Sequence, residues 1–340
     1  MTLRIDRQQY DAGGSAAGRI NLERMLMPYS TATAAPADDA RLAARGARMH
    51  RKVWQLRAPL LPALLVVIAV TQAPFFITAF YSLFRWNLVS TSARRFVGFK
   101  NYIDAVSDPV FLKAIGNTAF MTVSIVVGAI VVGTLLALGL SRSFPGRAVA
   151  RTLAVTPFFV MPVAAALFWK AGLFDPTFGL LGWSTSALGL GRVNWVSEYP
   201  RLSIIFLTAW QWSSFALLIL LAGMQSFPVE VTEAASIDGA GRWMTFRRLM
   251  LPHLRPFFEL TALLASMYVL ENFAAIATLT SGGPAYATTN LSYYVYLEAF
   301  SAFDLGQASA YGVITLVIAI ALVMPMLKVV AGIFKTGGRA

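Results

Sequence analysis

The sequence contains no cysteine and only two histidines in 340 residues. Without cysteine, disulfides, zinc–thiolate sites, iron–sulfur clusters and a cysteine nucleophile are all excluded. The two histidines, His50 and His253, lie far apart in segments that flank apolar runs. The sequence therefore offers no histidine metal cluster and no Ser-His-Asp arrangement. A G-x-x-x-x-G-K-S/T phosphate loop is also missing, so this chain is not itself an ATPase. We predict no catalytic residue and no metal site, and we expect His253 to be a solvated loop residue.

Charged residues are scarce as well, at 13% of the chain, against about 25% in an average soluble domain. Hydrophobic residues make up 57%, which is the composition of an integral membrane protein. The net charge of +12 would suit a nucleic-acid partner only if the basic residues formed a stripe, and they are dispersed instead. They sort by loop, so membrane topology explains them better than nucleic-acid binding.

Six apolar runs follow a polar N-terminal segment, and each approaches or exceeds the roughly 20 residues that a spanning helix needs. The third run is the shortest and contains Pro157 and Pro162, which neighbouring helices would have to accommodate. The predicted transmembrane spans lie at about 58–84, 115–140, 152–169, 202–224, 257–279 and 308–331.

Lysine and arginine counts predict how the chain is oriented. Residues 1–52 are polar and read as a flexible basic cytosolic tail, with Met25, Met27 and Met49 each compatible with the start of the chain. Of the 28 Lys and Arg residues, 20 lie in residues 1–57, the second-to-third loop, the fourth-to-fifth loop and the C-terminal end, and 8 lie in the opposite loops. The richer side should be cytoplasmic, which places the fourth-to-fifth loop and both termini in the cytosol.

That fourth-to-fifth loop, residues 225–256, is a polar stretch between two apolar runs. Pro228 is a plausible first-turn residue, and two glutamates follow it near the helix N-terminus. Asp238-Gly239 then breaks the helix, because glycine takes a left-handed turn readily. A second short helix over 243–249 is expected to stop at the two prolines before the fifth run. The sequence thus predicts two short helices joined by a tight glycine corner.

The spacing in this stretch resembles the EAA loop of ABC-importer permeases. Glu233-Ala234-Ala235 is followed after three intervening residues by Gly239, after nine more intervening residues by Leu249, and then by Leu251-Pro252. The family usually has isoleucine where this chain has Leu249, which is a conservative change. The resemblance implies that the loop is a coupling helix that fits a groove on a cytosolic ATPase subunit. It assigns the coupling role to Glu233, Ala234, Ala235, Asp238, Gly239, Leu251 and Pro252.

Segments on the predicted outer side are similar to the carbohydrate branch of these permeases. A threonine-x-glycine-glycine-proline turn occurs at 280–284, after the fifth run, with Thr288 four residues beyond it. The other matching segments are 96–102, Asn117-Thr118, 293–296 and 304–310. The resemblance covers about residues 55–335 and implies a sugar or sugar-alcohol cargo. Within it, residues 274–310 are more similar to importers of polyols and monosaccharides.

The acidic residues inside the six runs are Glu259 and Glu271. Glu259 lies close enough to Pro256 to reach the cytosolic interface. Glu271 lies 14 residues beyond Phe257, roughly 21 Å along a helix and past the middle of an apolar layer about 30 Å thick. An acid at that depth costs about 2.5–3.5 kcal/mol on insertion scales, so it should face a cavity or a partner.

Polar and aromatic residues on the fourth and fifth runs match in depth and share helix faces at i, i+3 and i+4 spacing. Aromatic rings against sugar C–H surfaces, with amide and carboxylate groups on the hydroxyls, would suit a neutral polyhydroxylated ligand. In the family, the helices that flank the EAA loop carry the mid-membrane sugar site. The substrate-pathway candidates are Asn272, Glu271, Gln211, Trp212, Tyr268 and Thr208. The alternative is that Glu271 and Gln211 only bond other helices or a partner permease.

We therefore predict an all-α integral membrane protein with six transmembrane helices in the architecture of a type I ABC importer permease. The resemblance implies a non-enzymatic subunit of the bacterial cytoplasmic (inner) membrane. Its partners would be a second six-span permease, two copies of a cytosolic ATPase subunit and an extracytoplasmic solute-binding protein. ATP and Mg²⁺ would bind to the ATPase, with no cofactor on this chain.

Three alternatives stay open at this point. An ion-coupled secondary transporter would use Glu271 as its coupling acid, but it leaves the EAA loop without a role. A membrane enzyme acting on lipids would need clustered acids or histidines at the interface, which the sequence does not offer. The same permease architecture could also carry a peptide, an amino acid or phosphate, although the Gly-Gly-Pro segment argues against this.

Overall fold

The computed structural model describes residues 60–90, 93–189 and 191–336. The predicted N-terminal tail lies outside the described residues. The chain divides into two units at Val70 and Thr71. Residues 60–70 of the first unit are described, and they belong to the first helix of the described part of the chain, α1 (Leu60–Tyr81).

The described part of the chain is predominantly helical, as predicted. A two-stranded antiparallel hairpin, β1 (Phe84–Arg85) and β2 (Arg95–Phe96), follows α1. Two π-helical segments occur, at Trp169–Leu173 and Phe246–Met250. The helices after α1 are α2 (Lys100–Ser107), α3 (Pro109–Ser141), α4 (Arg147–Phe159), α5 (Pro162–Phe168), α6 (Leu180–Ala187), α7 (Trp195–Glu198), α8 (Pro200–Gln225), α9 (Val229–Ile237), α10 (Arg242–Thr245), α11 (Leu251–Leu270), α12 (Ala274–Leu279), α13 (Leu291–Phe300) and α14 (Leu305–Thr336).

Four described helices are long and apolar enough to cross a membrane, namely α1, α3, α8 and the first 21 residues of α14. The third predicted run is a bent pair: α4 ends at Phe159, and the helix that begins at Pro162 leaves at an angle of 105°. Because proline lacks a backbone N–H and clashes with the preceding turn, the bend falls where the sequence places Pro157 and Pro162. Counted as one crossing, this pair brings the number of apolar crossings to five.

The fifth predicted run is interrupted rather than continuous. α11 ends at Leu270, residues 271–273 are not helical, and α12 begins at Ala274. The shared helix face assumed for Tyr268, Glu271 and Asn272 is therefore wrong, because the last two residues lie in the break. α11 starts beside the C-terminal end of α8, and α12 packs beside its N-terminal end, so the broken pair covers the length of a crossing.

The packing of α3 against α8 fixes the direction of the chain. Gly128 faces Ala209, and Gly133 faces Ala216 and Leu217, so the two helices run parallel. Two parallel spans require the chain to return across the membrane between them, which the bent pair does. This order is consistent with six crossings, and it puts the hairpin and the loop at 225–256 at opposite ends of the bundle.

Gly133 lies at a close approach between α3 and α8. A Cβ at this position would lie 2.5 Å from the Ala216 Cβ and 3.0 Å from both the Leu217 nitrogen and the Ser213 oxygen. We expect Gly133→Ala to lower the thermal midpoint in detergent, since overpacking a close helix contact costs about 1–3 kcal/mol. Gly139→Ala on the same helix is the control, because nothing lies within 4 Å of its Cβ position. Equal midpoints for the two variants would contradict this packing.

Candidate functional site

The loop at 225–256 forms the predicted glycine corner. α9 begins after Pro228, which precedes the first turn rather than standing in it. Gly239 has a φ of +78°, the left-handed conformation predicted for it. The Ala240 nitrogen donates to the Ala235 oxygen at 2.9 Å, and the Asp238 nitrogen donates to the Ala234 oxygen at 3.0 Å. These bonds satisfy the C-terminal carbonyls of α9 and set the direction in which the chain leaves it.

The helix after the corner does not stop at the prolines, contrary to the sequence prediction. α10 passes through the π segment Phe246–Met250 directly into α11. Pro252 stands in the first turn of α11, where no N–H is needed. Pro256 is accommodated within the helix. Leu251 and Pro252, to which the resemblance assigns a coupling role, thus form the start of α11, and no non-helical residue separates them from the helix after the corner.

The prediction that His253 is a solvated loop residue is wrong. Its Nε2 lies 3.1 Å from the Ser226 Oγ, and its ring packs edge-on against Phe227 with centroids 5.2 Å apart. Both partners immediately follow α8. His253 therefore ties the end of α8 to the start of α11, and it carries no metal-binding partner among the described residues.

The corner also presents an apolar surface. Ile237 is 85% exposed and Trp243 is 70% exposed, although both lie in a segment rich in charge. A cavity of about 580 Å³ lies between α9 and the helix after the corner, and its lining includes Ala234, Ala235 and Asp238. Glu233 is exposed beside it. Clustered exposed apolar residues with a polar rim mark a protein-docking surface.

At the other end of α11, away from the corner, the break between α11 and α12 is held by side chains from two other helices. The Asn272 Nδ2 donates to the Thr208 Oγ1 on α8 at 3.1 Å. The Asn290 Nδ2 donates to the Asn272 carbonyl at 2.9 Å, and the Ser292 Oγ donates to the Leu270 carbonyl at 3.3 Å. Thr208 and Asn290 are buried. Two of the predicted pathway residues, Asn272 and Thr208, are thus in direct contact, while Asn290 and Ser292 were not predicted.

Trp212 and Tyr268 are also brought together, with ring centroids 5.3 Å apart and planes 30° from parallel. Tyr268 is 63% exposed, so this aromatic pair presents a face rather than filling the core. Gln211 has a different task in this structure. Its Nε2 donates to the Val160 carbonyl at the bend between α4 and α5, at 3.0 Å. The neighbouring Ser214 Oγ donates to the Ala154 carbonyl at 2.7 Å.

The two acids of the fifth run differ in their surroundings. Glu259 accepts a hydrogen bond from the Arg255 Nε at 2.8 Å, one turn before it, and is largely buried. Glu271 is exposed at the end of α11, and none of the described residues hydrogen-bonds to its carboxylate. Its position in the non-helical break leaves the carboxylate available to a ligand or to a neighbouring chain.

The threonine-x-glycine-glycine-proline turn ends α12, as predicted, and is held by side chains from several helices. The Thr280 and Thr288 hydroxyls lie 2.7 Å apart within the turn. The Asn117 Nδ2 donates to the Tyr286 and Thr289 carbonyls at 2.9 and 3.0 Å. Three cations donate to further carbonyls of this segment, namely Lys113 to Ala285, Arg201 to Ala287 and Lys170 to Thr278. The turn is therefore a fixed cap over the break.

Asp108 joins three helices on this same side of the bundle. Its Oδ2 accepts from the Tyr294 hydroxyl at 2.5 Å and from the Tyr311 hydroxyl at 2.7 Å, and its Oδ1 caps α3 at the Val110 nitrogen. Burial raises the pKa of Asp108, but the hydrogen bonds from both tyrosines and from the backbone of Val110 and Phe111 outweigh burial and lower the pKa below 3.8.

The lowered pKa of Asp108 gives a pH-dependent contribution to stability. This contribution is fully present above the unfolded pKa and is lost as the pH falls through the lower folded pKa. We expect Asp108→Asn to lower the thermal midpoint at pH 7, and the difference from the wild type to shrink as the pH falls below 3.8. Asp104→Asn is the control, because Asp104 is exposed and lies 3.7 Å from the Arg85 Nη2. A difference that stays constant with pH would contradict this assignment.

The fold is that of a multi-span membrane protein with an exposed, partly apolar corner in the loop at 225–256. Residues 129–335 match the family described as binding-protein-dependent transport system inner membrane component. The chain belongs to this family, and the resemblance of its sequence to ABC-importer permeases of the carbohydrate branch is confirmed. It is therefore an integral membrane permease subunit of an ABC importer.

Two curated relatives and one solved structure illustrate the similarity. The probable ABC transporter permease protein y4oQ of Sinorhizobium fredii is 35% identical over 285 residues, covering 83% of this chain and 91% of that protein. The trehalose/maltose transport system permease protein MalF of Thermococcus litoralis is 32% identical over 279 residues, covering 79% and 91%. The fold is similar to a chain of a bacterial ABC transporter involved in the import of alginate, with a TM-score of 0.70, 22% identity and coverage of 85% and 99%.

Proposed function

We propose that the chain forms half of the translocation pathway of an ATP-driven importer for a sugar or sugar alcohol. The observation that carries this proposal is the combination of an exposed, apolar coupling corner at one end of the bundle with a polar and aromatic break near mid-depth. The names of the relatives support a carbohydrate cargo, since one of them transports trehalose and maltose and the similar structure belongs to an alginate importer.

The coupling corner is the proposed contact with the ATPase. Glu233, Asp238 and Gly239 would sit in a groove of the cytosolic subunit, with Ile237 and Trp243 burying apolar surface there. ATP and Mg²⁺ would be bound by that subunit and not by this chain. Because the helix after the corner continues into α11, closure of the ATPase pair would move α11 as a lever. The break at 271–273 lies at the far end of this lever.

The cargo would pass at the level of the break. Asn272 and Thr208 offer amide and hydroxyl groups, Glu271 offers a carboxylate, and the Trp212–Tyr268 pair offers ring faces for sugar C–H surfaces. Gln211 would act indirectly, by holding the bend between α4 and α5. A second six-span permease would supply the other half of the pathway, and an extracytoplasmic solute-binding protein would deliver cargo to the side that bears the hairpin. Both termini would be cytosolic in the bacterial inner membrane.

Affinity purification from a gentle detergent tests the assembly. We expect a second permease and an ATPase to co-purify with the wild-type chain and the ATPase to be lost with Glu233→Lys. Glu198→Lys is a matched charge reversal, because Glu198 is exposed and lies away from the loop. A chain that purifies alone, or an ATPase retained with Glu233→Lys, would overturn the coupling role.

A further inference from the structure

Cations are concentrated around the hairpin, on the side of the membrane where they are least expected. Of the eight Lys and Arg residues on the predicted outer side, five lie between the first two spans. Lys113 is one of them, and it is engaged with the outer turn. The other four are Arg85, Arg94, Arg95 and Lys100. Loops on this side normally carry few cations, so such a cluster calls for a ligand of opposite charge.

Three of these cations line one cavity. It has a volume of about 560 Å³ and lies between the hairpin and the start of α2. Its lining includes Arg85, Arg95, Phe96, Lys100 and Asp304. Asp304 is the one acid among these residues, and its Oδ1 already caps α14 at the Gln307 nitrogen. No carboxylate of the described residues lies within 4.0 Å of Arg95 or Lys100. The cavity therefore has an excess of positive charge and suits an anion with several acceptor oxygens.

The cavity is held open by backbone contacts rather than by the cations themselves. The Asn101 Nδ2 donates to the Ser82 and Phe84 carbonyls, and the Gly306 nitrogen donates to the Trp86 carbonyl. A Cβ on Gly306 would lie 2.1 Å from the Phe84 oxygen, so the start of α14 fits directly against the hairpin. These contacts preorganise the cavity walls, so anion binding would not have to order the loop.

The position of the hairpin favours a lipid as the source of the anion. The 22 described residues of α1 are long enough, at about 33 Å, to cross a bilayer core. Arg85 is the first charged residue after them, so the hairpin lies at headgroup level. Exposed aromatic rings surround the cations, since Phe80 is 57% exposed and Phe96 is 64% exposed. The Arg94 guanidinium lies 4.7 Å from the Trp86 ring centroid. Aromatic rings beside cations are typical of the membrane interface.

We propose that this cavity binds the headgroup of an anionic phospholipid, in the leaflet opposite the coupling loop. Arg95 and Lys100 would donate to the phosphate oxygens, Arg85 would add charge, and the exposed ring of Phe96 would lie against the upper acyl chain. The exposed ring of Phe96 on the edge of the cavity suits a lipid better than an acidic protein loop. Bound there, the lipid would brace α1 against the beginnings of α2 and α14.

Thermal midpoints of the purified full-length chain in detergent, titrated with phosphatidylglycerol or phosphatidylcholine, test the site. Phosphatidylglycerol should raise the midpoint in a saturable way and phosphatidylcholine should not. Arg95→Gln and Lys100→Gln should each weaken the apparent affinity about fivefold, as expected for one cation at a lipid surface. Lys100→Arg should restore the affinity. Arg192→Gln, which removes an outer cation away from the cavity, should leave the affinity unchanged.

Three results would overturn the proposal. The first is a lack of specificity, seen either as equal stabilisation by phosphatidylcholine or as an affinity for phosphatidylglycerol that neither glutamine variant changes. The second is equal stabilisation by inorganic phosphate, which would make the site one for a free anion. The third is an absence of lipid binding combined with a loss of binding-protein-stimulated ATP hydrolysis in Arg95→Gln, which would assign the cavity to a protein partner. None of these results bears on the coupling corner, so the importer proposal is tested separately.

Discussion

Gly239→Val is expected to cause a large loss of ATP-driven uptake while the permease still folds and inserts. The residue has a φ of +78°, and nothing lies within 4 Å of the position that a Cβ would take. Substitution therefore acts through backbone strain alone, about 1–2 kcal/mol for an ordinary residue and more for a β-branched one. The strain is relieved by opening the corner, which breaks the bond from the Ala240 nitrogen to the Ala235 oxygen and turns α9 away from the helix that follows.

Gly241→Val provides the matched control. Gly241 lies two residues away, has an ordinary φ of −66°, and also has nothing within 4 Å of its Cβ position. Both variants are reconstituted with the partner subunits in proteoliposomes, and ATP hydrolysis and uptake are measured together. We expect a loss of uptake of about tenfold or more for Gly239→Val, corresponding to roughly 1.4 kcal/mol or more, with Gly241→Val close to the wild type. Equal uptake by the two variants would remove the corner from the coupling mechanism.

Asn272→Leu is expected to cause the second large loss, in this case of transport with the ATPase still bound. The substitution removes the donor to the Thr208 hydroxyl and takes an amide out of the non-helical break. The Asn272 carbonyl still accepts from Asn290, so the break itself should persist. We expect the maximal uptake rate to fall about tenfold or more when a polar contact to the moving cargo is removed.

A double-mutant cycle separates a cargo contact from a packing contact. Thr208→Val removes the other half of the same hydrogen bond and is nearly equal in volume. If Asn272 serves only to bond Thr208, the two single variants lose the same activity and the double variant loses no more. If Asn272 also binds cargo, Asn272→Leu loses more than Thr208→Val at every cargo concentration. The first pattern would make Asn272 a structural residue.

Features set by local sequence were predicted well. The apolar runs follow from composition, and Gly239 follows from the need for a left-handed residue between two short helices. In each case the residues that determine the structure lie within a few positions of one another.

Features set by distant contacts were not predicted. The break at 271–273 depends on Asn290 and Ser292, which bond carbonyls about 20 residues earlier. An asparagine three residues before Tyr293 was the available signal, because it caps α13 at the Tyr293 nitrogen. Similarly, the π segment that joins α10 to α11 just before Pro252 shifts the hydrogen-bond register, and residue spacing does not reveal this shift.

The energy source and the cargo form the central claim, and uptake into proteoliposomes tests both directly. The complete transporter is reconstituted with its binding protein, loaded with ATP, and given labelled sugars and polyols with and without an uncoupler. We predict saccharide or polyol uptake that requires ATP hydrolysis and continues when ion gradients are collapsed. Uptake that stops with the uncoupler while ATP remains, and that Glu271→Gln also abolishes, would contradict the account and make Glu271 the coupling acid of an ion-driven transporter.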